Sequence, residues 1–273
     1  MEGNNMISIE VLISTYGSGI ENIFNSPPIE ESGVRYIIVH QVSSDYMLSS
    51  DILETINVRP DIQYYELESV GLSKSRNYAL SKASSELVLF CDDDVKYVDG
   101  AFSKIRQAFI ENSDADIITF KVMTPEGEDF KTYPPVIMRH NKRTVFKISS
   151  IEVAARRNSL LGLEFDEMFG LGSIYPASEE NIFLMDALSS DKLIMFVPVA
   201  INFHPYETSG KNWANMKMSS SKLVFMFRCF GWFSLPIFIA FAVKKHSEYK
   251  RDLSLMKMIA INIDKLYGYL NNA

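Results

Sequence analysis

Leu87-Val88-Leu89-Phe90-Cys91-Asp92-Asp93-Asp94 is the stretch that decides the fold. Leu87 to Phe90 reads as a short core strand, because a brief apolar run closed by polar residues suits a strand buried on both faces. It runs straight into three aspartates. Carboxylates crowded at a strand end repel one another unless something cationic neutralises them. Two readings follow from the residues: a solvated acidic turn, or a seat for a hard divalent ion that takes one or two carboxylates and shares phosphate oxygens. The position supports the second, since α/β sheets open their ligand crevice at the carboxyl ends of strands.

Upstream, Ile7 to Ser14 is apolar and β-branched and breaks at Tyr16-Gly17-Ser18-Gly19, a buried strand entering a loop. Val34 to Val39 is a second such strand, followed by the polar run His40-Gln41-Val42-Ser43, and Asp61 to Leu67 is a third. Gly71-Leu72-Ser73 opens a helix over about residues 74–83, with Ser73 as its expected N-cap. Downstream, a helix over 101–112 and a strand over 116–122 continue a β/α alternation, which predicts a mainly parallel sheet with helices on both faces. Residues 124–150 read as a hairpin or long excursion, 151–159 as a strand or short helix, 180–188 as a helix and 193–203 as a buried strand.

Charge divides the 273-residue chain. Residues 1–205 carry 17 Lys/Arg against 30 Asp/Glu, and residues 206–273 carry 10 against 4. An acidic body argues against nucleic acid as its partner, whereas a basic, aromatic-rich tail suits an anionic membrane surface. The start lacks a basic-then-apolar leader, so the expected location is cytoplasmic, peripheral on the inner membrane face where the tail docks. Cys91 and Cys229 form no metal-type pair. Leu223 to Val243 is apolar and long enough to span a bilayer, but Arg228, Gly231 and Pro236 interrupt it. Packed or interfacial helices are therefore expected, with Trp213, Trp232 and four nearby phenylalanines suited to an interface.

Three further motifs carry chemistry. Gly71 to Asn77 puts Lys74 and Arg76 at a helix start, either a phosphate site or ordinary helix-surface cations. Phe169-Gly170-Leu171-Gly172 leads to Glu179-Glu180, favoured at a helix start by the dipole alone or placed there as a general base. His204 ends a strand, where it is a core imidazole or a metal ligand.

The ordered set (Ser14-Thr15-Tyr16, Gly71 to Asn77, Asp92-Asp93-Asp94, Phe169 to Gly172 and Glu179-Glu180) resembles the family-two glycosyltransferases of the GT-A fold over about residues 7–205, especially bacterial members that build capsule or O-antigen. The resemblance implies a Rossmann-like α/β catalytic domain over 1–205 with a mixed, mainly parallel sheet, and a helical C-terminal extension over 206–273. It implies an inverting hexosyl- or N-acetylhexosaminyltransferase that takes a nucleotide sugar, preferably a UDP-sugar, and glycosylates a glycan or polyprenyl-diphosphate-linked acceptor. Thr15, Tyr16, Gln41, Arg76, Asp92 and Asp93 would then serve the donor, Asp94 and His204 would hold Mn²⁺ or Mg²⁺, and Glu180 or Glu179 would be the base. Relatives often carry an Asp where His40-Gln41 stand here, and an Asp where Glu180 stands. A nucleotidyltransferase and a catalytically degenerate binding scaffold are the rival functions.

Overall fold

The computed structural model describes residues 6–205, 221–251 and 253–272. Four parallel strands lie side by side in the order β3 (Ile62–Leu67), β2 (Val34–Gln41), β1 (Ile9–Tyr16) and β4 (Leu87–Asp92). Next to β4 comes β8 (Val153–Arg156), antiparallel to it and to the following strand, β6 (Ile117–Met123). β9 (Ile194–Phe203) pairs parallel with β6 and carries the short strands β5 (Lys96–Tyr97) and β7 (Met138–Arg139) antiparallel. The sheet is therefore mixed and mainly parallel, as the β/α alternation predicts.

The central strands are mostly apolar because both faces are covered, and the buried Glu10 of β1 is paired with Arg35 of β2. Val11 and Leu12 point to opposite faces, and both are at most 1% exposed. Complete burial of each such side chain favours folding by about 1.5–3 kcal/mol. One face packs on α1 (Ile20–Asn25), α2 (Ser50–Val58) and α4 (Ala101–Glu111). The other packs on α3 (Leu72–Lys82) and α5 (Glu179–Ser189).

Some sequence expectations need correction. Ser73 does not cap α3: it lies inside the first turn, fully buried, and its hydroxyl donates to the Phe169 carbonyl at 2.7 Å. Gly71 occupies the N-cap position. β2 continues through His40 and Gln41, which pair with Glu66 and Leu67 of β3, so these polar residues belong to the sheet rather than to a following loop. α2 was not expected. Its cap is Ser49, whose hydroxyl accepts from the Ile52 N–H.

The C-terminal extension packs on the α/β body through α6 (Lys222–Phe230), α7 (Ser234–Tyr249) and α8 (Leu255–Asn272). Leu223, Val224, Phe225 and Met226 of α6 join Phe169, Tyr175 and Ile182 in one apolar cluster. Asn262 of α8 is fully buried and accepts from the Leu223 N–H at 3.1 Å, satisfying a donor at the start of α6. Arg228, the charge that interrupts the apolar run, pairs with Asp166 at 3.0 Å and Asp186 at 2.8 Å. Lys222–Tyr249 is apolar enough to cross a membrane by composition. A turn at Gly231, with φ of +57°, nevertheless divides it into two helices, and α6 is fastened to the body. Trp213 lies outside the described residues.

Candidate active site

The three aspartates at the tip of β4 diverge to three different partners, which is how the fold relieves their mutual repulsion. Asp92 turns to the α3 face and accepts from Arg76 Nη2 at 2.9 Å. Asp93 turns to the α1 face, where the Thr15 hydroxyl donates to its Oδ2 at 2.6 Å. Asp94 meets His204, with Nε2 at 3.2 Å from Oδ1. A cavity of about 260 Å³ borders the tip, lined in part by Asn22, Ser26, Cys91 and Lys96.

Strand pairing explains the last contact. β5 lies antiparallel to the end of β9 with Lys96 opposite Phe203, so the residues just before Lys96 face those just after Phe203. Asp94 and His204 meet across this short ladder although 110 positions separate them in sequence. His204 Nδ1 sits 2.7 Å from the Pro205 carbonyl. A carbonyl only accepts, so Nδ1 carries the proton and Nε2 is left facing a carboxylate. Two lone-pair atoms in that position need a cation between them, either a proton on Nε2 or a metal ion. With a proton, the Asp94 carboxylate outweighs the effect of burial and holds the imidazole pKa above its ordinary value, while the His204 hydrogen bond lowers that of Asp94.

The same geometry fits a metal. An imidazole whose other nitrogen is fixed by a carbonyl is the usual arrangement around a ligating histidine. Among the described residues no three His, Cys, Asp or Glu side chains converge. The chain therefore offers Asp94 and His204, and diphosphate oxygens and water would complete the shell, as suits Mg²⁺ or Mn²⁺.

Asp93 is partly enclosed, and burial raises its pKa against the Thr15 hydrogen bond that lowers it. Gly19 makes this packing feasible. A Cβ there would lie 2.2 Å from Asp93 Oδ2 and 2.8 Å from Thr15 Oγ1. Thr15 and Asp93 thus tie the loop after β1 to the aspartate tip. Tyr16, 52% exposed, presents its ring outward at the end of β1.

Arg76 is the main departure from expectation. It is 1% exposed. Its guanidinium donates to Asp92, to Glu179 Oε1 at 2.8 Å and to Ser150 Oγ at 2.8 Å, with the Phe165 ring 5.5 Å away. It joins the aspartate tip to the start of α5, so contact with a nucleotide, expected from its place at a helix start, does not follow. Gln41 is also enclosed. Its Oε1 accepts from the Gly71 N–H at 2.6 Å and fixes the turn into α3.

The two glutamates occupy different environments. Glu179 is buried and paired with Arg76. Glu180 is partly enclosed. Burial, reinforced by the neighbouring Glu179 charge and opposed by Arg76, pushes its carboxyl well above the usual range. Two conformations shape this corner. Ser178, just before the pair, adopts the left-handed region at φ +75°, which is uncommon for a residue with a Cβ. Gly170 has φ +100°, and a Cβ there would lie 3.1 Å from Ser73 Oγ. The loop and α3 are further joined by the Leu72 N–H donating to the Leu171 carbonyl, and by Asn77, which bonds both backbone groups of Phe165.

Sequence reasoning missed Ser150 and Lys222. Lys222, from the extension, feels the charges of Glu180 and Glu179, although burial lowers its pKa overall. Nothing in its local sequence marks either residue.

The family model described as Glycosyl transferase family 2 matches residues 19–167, more than half of the chain. Among curated proteins, the chain is 24% identical over 226 residues to poly(ribitol-phosphate) beta-N-acetylglucosaminyltransferase TarS of Staphylococcus aureus strain Mu50, and equally to that of strain MW2. The match covers 78% of this chain, which spans only 38% of the length of those relatives. Among solved structures, S. aureus TarS 1-349 in complex with UDP-GlcNAc aligns at a TM-score of 0.63 and 17% identity, over 94% of this chain and 79% of that one. The same protein with UDP aligns at 0.62 and 17%, over 98% and 92%. At such identity these structures bear on the fold, which they share with this chain.

Proposed function

Because the chain belongs to glycosyl transferase family 2, we propose that it moves a sugar from a nucleotide-sugar donor to a hydroxyl of a glycan or polyprenyl-diphosphate-linked acceptor in surface-polysaccharide synthesis. The observation that carries this reading is the Asp94–His204 pair at the carboxyl edge of the sheet, with the Nδ1–Pro205 bond leaving Nε2 directed at the carboxylate. The preference for a UDP-sugar, and for N-acetylhexosaminyl transfer, draws on the TarS complexes with UDP and UDP-GlcNAc.

In this reading Tyr16 lies along the nucleotide and Asp92 faces the ribose or sugar. Thr15 and Asp93 keep the β1 loop closed on the donor edge. Asp94 and His204 would hold Mn²⁺ or Mg²⁺, which when bound supplies positive charge for the diphosphate leaving group. Glu180 is the base: its raised pKa gives a carboxylate strong enough to take the proton of an acceptor hydroxyl as that oxygen attacks the anomeric carbon. Glu179, engaged by Arg76, positions the start of α5. Attack from the face opposite the leaving group inverts the anomeric configuration. The enzyme works in the cytoplasm, where nucleotide sugars are made, on the inner face of the membrane.

A panel of nucleotide sugars, each incubated with the full chain and Mn²⁺ and assayed for release of the nucleoside diphosphate, tests the proposal. One donor is expected to be cleaved well above the others, and chelation should stop it. No release from any donor, with or without candidate acceptors, would contradict the reading.

A further inference from the structure

The catalytic reading leaves one large surface unused, the outer face of α7. From Phe233 to Val243 the chain carries no charged residue. Phe238 and Ala242 point inward and are buried, yet the opposite side is apolar too. Phe233 is 80% exposed, Trp232 64%, Val243 55%, Ile239 48% and Ile237 43%. The most apolar 18-residue window within Lys222–Tyr249 has a mean hydropathy of 1.8 but is only 33% buried. A helix apolar all round belongs in a protein core or in lipid, and an exposed apolar patch of this kind marks an interaction surface.

The charge pattern favours one occupant. Exposed Lys244 follows the apolar stretch at once, and Lys250 and Arg251, also exposed, close the helix. Apolar side chains ending in a cationic cluster match an anionic lipid surface, with acyl boundary for the first part and headgroup phosphates for the second. A second copy fits less well. Two such faces related by a twofold axis would press the cationic end of each helix against the apolar start of the other, leaving charge without a partner. Spanning is opposed by the break at Gly231 and by the ion pairs that fasten Arg228 to Asp166 and Asp186. The helix is thus placed to lie in the plane of an interface, with Trp232 and Phe233 at its leading tip, where aromatic side chains are favoured.

We propose that the outer face of α7 docks the enzyme in-plane on an anionic bilayer, with Phe233 and Ile237 in the acyl boundary and Lys244, Lys250 and Arg251 on the headgroup phosphates. The consequence for substrate rests on the catalytic reading above. α6 has nine residues and so spans about 14 Å. It runs from Lys222, which feels the Glu180 charge, to the Trp232 turn. An acceptor hydroxyl carried on a short lipid-linked glycan is then within reach of the base while its lipid stays in the membrane.

Sedimentation of the full chain at low salt tests the docking: vesicles of equal phosphatidylglycerol and phosphatidylcholine against vesicles of phosphatidylcholine alone. The wild-type chain is expected to pellet with the first and stay in solution with the second. F233S/I237S and K244E/K250E should each lower the bound fraction on the order of tenfold. Both variants should keep the wild-type far-ultraviolet circular dichroism and nucleotide-sugar hydrolysis, which separates lost docking from lost folding and from failure of the catalytic proposal. Three results would overturn the inference: wild-type protein left in the supernatant with anionic vesicles, equal binding to both vesicle types, or binding indifferent to both variants. A dimer in light scattering that F233S/I237S converts to monomer would overturn it as well, by assigning the face to a second copy.

Discussion

Glu180→Gln is expected to lower kcat for sugar transfer by about 10²- to 10⁴-fold while donor affinity stays within a few-fold of wild type. The amide keeps the shape and part of the hydrogen bonding of the carboxylate but cannot accept the acceptor proton. The pH dependence gives a second readout with a definite sign. Glu180 acts when ionised, and burial together with the Glu179 charge raises its pKa. The wild-type rate should therefore fall as pH drops through a value above the ordinary carboxylate range. In Glu180→Gln the residual rate should lose that acid limb. Transfer at near-wild-type rate in this variant would show that Glu180 is not the base.

Arg76→Met is expected to destabilise the protein by about 3 kcal/mol, because it leaves the buried Glu179 carboxylate without its cation. Methionine preserves much of the apolar stem against Phe165, so packing loss is a minor part of the effect. The fall should appear as a lower urea midpoint. Activity should change in a way that separates this residue from one that contacts the donor. The positive charge of Arg76 holds the Glu180 pKa down, so its removal should move the acid limb of the rate to still higher pH. Arg76→Lys should recover only part of both effects, since an ammonium cannot reproduce the planar fork that reaches Asp92, Glu179 and Ser150 together. An unfolding free energy within about 1 kcal/mol of wild type would contradict the structural role.

These two predictions mark the boundary of what the sequence discloses. The aspartate tip and the Thr15 strand end are legible because each sits where an apolar run stops, and the glutamate pair because it opens a helix after a glycine loop; β4 and β1 read as strands from composition alone. The separate directions of Asp92 and Asp93 are not legible. β4 is buried on both faces, so no polar alternation tells which aspartate faces α3 and which faces α1. Arg76 reads as a donor contact or a surface cation, and its burial is hidden because its partners Ser150 and Glu179 lie 74 and 103 positions away. Its burial depends on how α3 and α5 share one sheet face. His204 becomes significant only once β5 has paired with the end of β9, and a two-residue strand such as Lys96–Tyr97 leaves no periodic signal. Arg228 illustrates the converse: a charge that looks like a flaw in an apolar run is the contact that docks α6.

The central claim is that Asp94 and His204 hold a divalent cation against the diphosphate of the donor. The melting temperature of the full chain with UDP alone, Mn²⁺ alone and both together, in wild type and Asp94→Ala, tests it most directly. Wild type should rise with the pair by clearly more than the two single shifts combined, and Asp94→Ala should lose that excess. No excess in wild type with any nucleoside diphosphate, or the same excess in Asp94→Ala, would contradict the account.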